Sequence, residues 1–267
     1  MNPRHACLAC LDRDPPAVFE AALWIAVEHD PALQPAQVLQ DINTLQLQVS
    51  AGLPTGSAAE QAQALLRRLN ALDFHEDDDN PPHPQAALLH RVLQSRRGQP
   101  LSLALIALEL ARRLLIPLVG VNFPGHFLLR VPGADHLLDP CGGRRLYTRD
   151  CRELLHRQLG PQAVLSGGHL HSCDARGLLQ RLSRNLRHLY QQDGDYLSAL
   201  KDAERVLQLG PPTVVDHLAR AELYQQLACP QAERYDLQHA LLLTEDPAQR
   251  LQLTQRLRLL TRVPALH

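Results

Sequence analysis

Aromatic residues are scarce in this 267-residue chain, at 4%, with one Trp, five Tyr and four Phe. A core short of large rings has to be filled by Leu, Ala, Val and Ile, which suits packed helices better than a β-sandwich. A surplus of charge of either sign is also missing: 27 basic and 28 acidic side chains leave a net charge of −1. That excludes a global basic surface of the kind that draws nucleic acid or anionic membranes. Lys201 is the single lysine, so the positive charge is carried by arginine. Long apolar runs are absent too. Residues 100–115 contain Glu109, Arg112 and Arg113, and residues 6–11 are broken by two cysteines and followed at once by Asp12, Arg13 and Asp14. The first is no membrane span, and the second is too short and polar for the core of a secretory signal. Six cysteines (7, 10, 141, 151, 173 and 229) in a chain of this length then read as reduced thiols, and the expected compartment is the cytoplasm.

What is present is mostly helical periodicity. Residues 16–31 place Val18, Ala22, Ile25 and Ala26 at helical spacing before Asp30-Pro31 ends the segment. Val38, Ile42, Leu45 and Val49 form one face of a second helix, and Ser57 with Glu60 opens a third as a capping box. HEDDDNPPHP (residues 75–84) then interrupts the pattern. Asp77, Asp78 and Asp79 lack the alternating ligand spacing of a calcium loop, so the run reads as a solvated connection. Beyond it, GQPLSLALIALELARRLLIP begins with a proline suited to a first helical turn. LVGVNF, HFLLRV and HLLDP follow as three short strands of an antiparallel meander, and a helix over 148–159 closes the segment. The class is therefore α+β.

From about Asp174 the chain is helical again and repeats itself. Tyr190 and Tyr224, Asp202 and Asp236, and Leu207 and Leu241 are each 34 residues apart. That is the period of the tetratricopeptide helix pair. The second copy lacks the Gly194-Asp195 turn of the first and carries Glu233 where the first has Ala199. The expected boundaries are 1–165 for the α+β domain with its helical N-terminal part and 174–267 for the repeats.

His126 and Asp139 are the chemically suggestive pair. A two-residue turn at Pro132-Gly133 would set them directly opposite each other, whereas a four-residue PGAD loop would set His126 opposite Cys141 and Asp139 opposite Leu128. Pro-Gly favours a type II turn, which splays two-residue hairpins, so the longer loop is preferred. In either register both side chains project from one sheet face, where a carboxylate can orient an imidazole. A nucleophile for this pair belongs at the start of the helix opening at Pro100, where amide dipoles would assist it. Ser102 is the nearest hydroxyl there, and it can equally be a hydroxyl bonded to backbone. Cys141 is the alternative nucleophile, without the help of a helix terminus. A metal set drawn from His126, His136, Asp139 and Cys141 fails on strand parity at His136. His5, Cys7 and Cys10, or His169, His171 and Cys173, offer zinc-binding residue types without the spacing of a zinc site. No metal and no cofactor is assigned.

The blocks HRVLQSRRGQPLSLALIALELARRLLIPLVGVNFPGHFLLRV and LLDPCGGRRL resemble the transglutaminase-like core of the SirB-type proteins, bacterial chains in which that core precedes tetratricopeptide repeats. EAALWIAVEHDP upstream and LLQRLSRNLRHLYQQDGDYLSAL downstream extend the resemblance over most of residues 18–243. It implies a papain-like α+β core in which His126 and Asp139 match the His and Asp of a Cys-His-Asp triad. The triad cysteine has no counterpart, because residues 98–104 read Gly-Gln-Pro-Leu-Ser-Leu-Ala. The expected function is accordingly a pseudoenzyme that binds a protein or peptide partner through a degenerate core and its repeats. The alternative is a hydrolase or acyl-transfer enzyme using Ser102 or Cys141 with His126 and Asp139.

Overall fold

The computed structural model describes residues 2–79 and 81–260, which divide into two compact units between Leu182 and Ser183. The first unit opens with α1 (Pro3–Leu11), α2 (Val18–His29), α3 (Pro35–Ser50) and α4 (Ala58–Ala71). Ser57 and Glu60 cap α4 reciprocally, as their spacing predicts. A two-residue strand β1 (His75–Glu76) then pairs in parallel with β2 (Arg97–Gly98), on either side of α5 (Leu89–Ser95). The central element is α6 (Pro100–Arg113), which touches α2, α3, α4, α5, β1, β2 and β3 (Val119–Val121). Every residue from Leu101 to Ala107 is buried, so this helix is covered all round. Its one buried charge, Glu109, is held by Arg112 and Arg113.

The strands β3, β4 (Leu128–Arg130), β5 (Leu137–Leu138) and β6 (Arg145–Leu146) form an antiparallel meander in sequence order. The helix α7 (Thr148–Leu159) covers it, burying Val121, Phe123, Leu128, Leu137 and Leu146 against Cys151 and Leu155. The β4–β5 register pairs Leu129 with Leu138, which is the register of the four-residue loop.

The helix α8 (Ala175–Gln192) runs through the division of the chain, and α9 (Tyr196–Leu209), α10 (Val214–Gln226), α11 (Pro230–Leu243) and α12 (Pro247–Leu260) follow. The 34-residue period is visible in the polar interior. Asp202 is wholly buried and bonded by Arg205, which also reaches Ser183 at 3.2 Å. One period on, Asp236 is wholly buried and accepts two 2.8 Å bonds from Arg220, with His217 also at 2.8 Å. The turn repeats as well. Gly194 has φ +76° between α8 and α9, and Ala228, 34 residues later, takes φ +53° between α10 and α11. The second copy therefore makes the same left-handed turn without the glycine. Glu233, at the position of Ala199, is buried and paired with Arg256 of α12 at 2.7 Å. A charge thus replaces a small side chain because the next helix supplies its partner.

Candidate functional site

Two turns built on positive-φ glycines place the His-Asp pair. Phe123-Pro124-Gly125-His126 reverses the chain between β3 and β4, with the His126 amide bonded to Phe123 O at 3.1 Å and Gly125 at φ +71°. Arg181 of α8 secures this turn by donating to Phe123 O at 3.1 Å while lying 5.7 Å over the ring of Phe127. On the other side, Asp139-Pro140-Cys141-Gly142-Gly143 leaves β5 in a loop closed by Asp139 N to Arg144 O (2.9 Å) and Gly143 N to Asp139 O (3.0 Å). Gly142 and Gly143 both have positive φ. A Cβ on Gly143 would also sit 2.9 Å from Leu66 Cβ and 3.1 Å from Gln63 O, so α4 leaves no room for a side chain. Gln63 of α4 fixes the loop further by donating to Gly143 O at 3.0 Å.

Continuing the β4–β5 register from Leu129 and Leu138 sets His126 opposite Cys141 and Asp139 opposite Leu128. His126 and Asp139 are both half-buried. The Asp139 carboxylate accepts the Cys141 amide at 2.8 Å, so it anchors its own loop. Burial pushes the His126 pKa down, against an upward pull from Asp139, while Arg181 and Arg157 add to the lowering. The imidazole is thus held neutral at ordinary pH.

The nucleophile candidates lie in quite different surroundings. Ser102 is fully buried in the first turns of α6, and its hydroxyl donates to Ala87 O at 3.1 Å. Cys141 lies by the pair, but burial, the Asp139 carboxylate and Glu76 push its thiol pKa far up, so it is protonated. Glu76 belongs to this cluster although sequence reasoning left it in a solvated run. Burial, Asp139 and Asp78 raise its own pKa. Its only sequence signal would have been the pairing of β1 with Arg97-Gly98, and two-residue parallel strands leave no periodicity to read.

The other clusters weighed from sequence separate. Cys7 and Cys10 are buried on α1, and all six cysteines are unbridged. His136 is buried beside Asp135 at 2.8 Å. Among the described residues, the one group of three or more metal-binding side chains with converging donor atoms is Asp77, Asp79 and His83.

The comparisons with known proteins fall along the same division. A model of the transglutaminase-like superfamily matches residues 36–184, and one of tetratricopeptide repeats matches residues 186–258. The class is therefore a transglutaminase-like domain followed by tetratricopeptide repeats. The UPF0162 protein PA3419 of Pseudomonas aeruginosa is 62% identical over 258 residues, covering 96% of either chain. A UPF0162 protein of Xylella fastidiosa is 37% identical over 64% of this chain and 63% of its own. Protein SirB1 of Salmonella typhimurium is 30% identical over 58% of each. The chain belongs to this UPF0162, or SirB-type, family. No solved structure matches it.

Proposed function

We propose that this protein acts by binding a protein or peptide segment, as a scaffold or regulator, and that its transglutaminase-like core has no catalytic cycle. The observation that carries this reading is Ser102: the hydroxyl nearest the nucleophile position is committed to Ala87 O inside the core, out of reach of solvent. At the start of α6 itself stands Pro100, which has neither hydroxyl nor thiol. Covalent catalysis needs an activated nucleophile within hydrogen-bond reach of its base. The surroundings of Cys141 work against a thiolate, which weighs against the hydrolase or acyl-transfer alternative.

The repeats supply the partner-facing half of this reading, since tetratricopeptide helices generally serve protein–protein contact. Leu197 on α9 and Tyr235 and Leu242 on α11 are large apolar side chains left exposed there. No described helix is long and apolar enough to cross a membrane. Six unbridged cysteines accord with a reducing compartment such as the cytoplasm.

The test has two arms on the full chain. Fluorophosphonate and iodoacetamide probes should give no labelling that depends on His126, so wild type and His126→Ala give the same pattern. A photo-crosslinker at Leu197 should give a discrete adduct in cells that survives Ser102→Ala and is lost in Tyr235→Asp. Probe labelling of Ser102 or Cys141 that disappears in His126→Ala would overturn the binding reading in favour of the enzyme.

A further inference from the structure

The loop after β1 carries an arrangement that neither the fold nor the repeats require. His83 Nε2 lies 3.3 Å from Asp77 Oδ2 and 3.2 Å from Asp79 Oδ2, and one donor atom from each of the three residues falls within 4.8 Å of the others. Donors bound tetrahedrally to one ion at about 2.0–2.1 Å stand about 3.3 Å from each other, so two edges of the trio already have metal-site length.

The second observation is the state of Asp77. Its side chain is only 7% exposed, and among the described residues its carboxylate has one charged partner, the His83 imidazole at 3.3 Å, which it shares with Asp79 at 3.2 Å. Two carboxylates, one of them this buried, converge on a single imidazole nitrogen, and that crowding of negative charge is costly unless a further cation compensates it. The neighbouring cations are committed elsewhere: Arg91 pairs with Asp30 at 2.9 Å and Arg97 with Asp73 at 3.3 Å. The trio opens on a cavity of about 720 Å³ that Gln94 and Ser95 also line, which leaves room for a further ligand.

Both arms of the loop are tied to one junction. The Asp77 amide donates to Gly98 O at 3.1 Å, and the turn that follows His83 is held by Gln99 N donating to Ala86 O at 2.7 Å. The donors are therefore set by β2 and the start of α6 before any ion arrives.

We infer that Asp77, Asp79 and His83 form a binding site for one divalent cation of the zinc class, with Asp77 as the buried ligand and the open side facing the cavity. An imidazole nitrogen with two carboxylate oxygens suits zinc or a neighbouring transition ion, whereas calcium and magnesium call for all-oxygen shells. The absence of a cysteine from the trio distinguishes it from any site built on Cys7, Cys10 or Cys173.

The experiment is a calorimetric titration of Zn²⁺ into the metal-stripped full chain, repeated with Asp79→Asn and His83→Ala, and with Co²⁺ as a spectroscopic substitute. Wild type should take up one equivalent that both variants bind at least tenfold more weakly. The Co²⁺ form should show ligand-field bands without thiolate charge transfer, and Ca²⁺ should not displace Zn²⁺. Asp79 is 72% exposed, so Asp79→Asn keeps the fold and decides the matter even if His83→Ala does not. Equal zinc binding in wild type and Asp79→Asn, a thiolate–cobalt band, or displacement by Ca²⁺ would each overturn the assignment.

Discussion

In the repeats, each deeply buried acid faces a cation: Asp202 meets Arg205, Asp236 meets Arg220 and His217, Asp216 meets Arg184 at 2.8 Å, and Glu233 meets Arg256. In the first unit, Asp139 acts on both His126 and Cys141, Glu76 adds a second negative charge beside Asp139 and Cys141, and among the described residues no ion pair neutralises either carboxylate. The first pattern is how a chain holds helices in register, with charges desolvated only in partnership. The second stores like charge beside a neutral base, which does nothing for stability and is characteristic of sites that meet something else. Glu109, held by two arginines within the first unit, shows that the contrast belongs to the location of the charges and not to the domain.

Breaking one pair in the repeats should therefore give the largest effect. Asp236→Ala would strand the Arg220 guanidinium and remove the partner of His217 in a wholly buried position, at a cost of about 3–5 kcal/mol. Urea denaturation of the full chain should show this as a lowered midpoint for the repeats. A loss under about 1 kcal/mol would mean that the network does not hold the helices in register. The matching change in the core cluster, Glu76→Gln, removes a like charge from Asp139 and should cost nothing.

A smaller effect sharpens the comparison between the two repeats themselves. The first copy turns on Gly194 and caps α9 with Asp195, whose side chain accepts the Ser198 amide at 3.0 Å. The second copy turns on Ala228 at φ +53° and starts α11 after Cys229 with no side-chain cap. Ala228→Gly relieves a left-handed alanine, and Cys229→Asp restores the missing cap; each should stabilise the chain by about 1 kcal/mol. Thermal melting of the two single variants and the double variant would measure the gains, which should add.

That asymmetry also shows what the sequence could and could not tell. The 34-residue spacing of Asp202 and Asp236 was legible and marks equivalent buried acids, because a repeat must solve the same packing problem twice. The meander was legible from alternation, and the PGAD loop gave its register through turn chemistry, which placed His126 opposite Cys141. The fate of Glu233 was not, because its partner Arg256 lies one helix further along. Nor were Glu76 and the Asp77–His83 group, since they are brought into place by a two-residue parallel pairing with Arg97-Gly98. Local patterns carry information about elements; a two-residue pairing between segments about twenty residues apart leaves no trace in them. The environment of Ser102 fell between, because the buried α6 was visible while the acceptor at Ala87 was not.

The smallest effect concerns Cys141, and it tests whether the acids at the sheet edge act on their neighbours. Burial is the first cause of its raised pKa, and the Asp139 and Glu76 carboxylates follow. Because the folded chain holds the thiol protonated, the stability this confers is present below the ordinary thiol pKa of about 8.5 and is lost as the pH rises above it. Alkylation by iodoacetamide, followed by mass spectrometry of the Cys141 peptide, should therefore stay slow at pH 8, well below the rate of exposed Cys229. Asp139→Asn removes one of the two negative charges while keeping an acceptor for the Cys141 amide. The thiol pKa then falls, and the alkylation rate at pH 8 should rise a few-fold with no change at Cys229. A Cys141 already as reactive as Cys229 in the wild type would show that the carboxylates do not hold the thiol protonated, and would return Cys141 to the set of working nucleophiles.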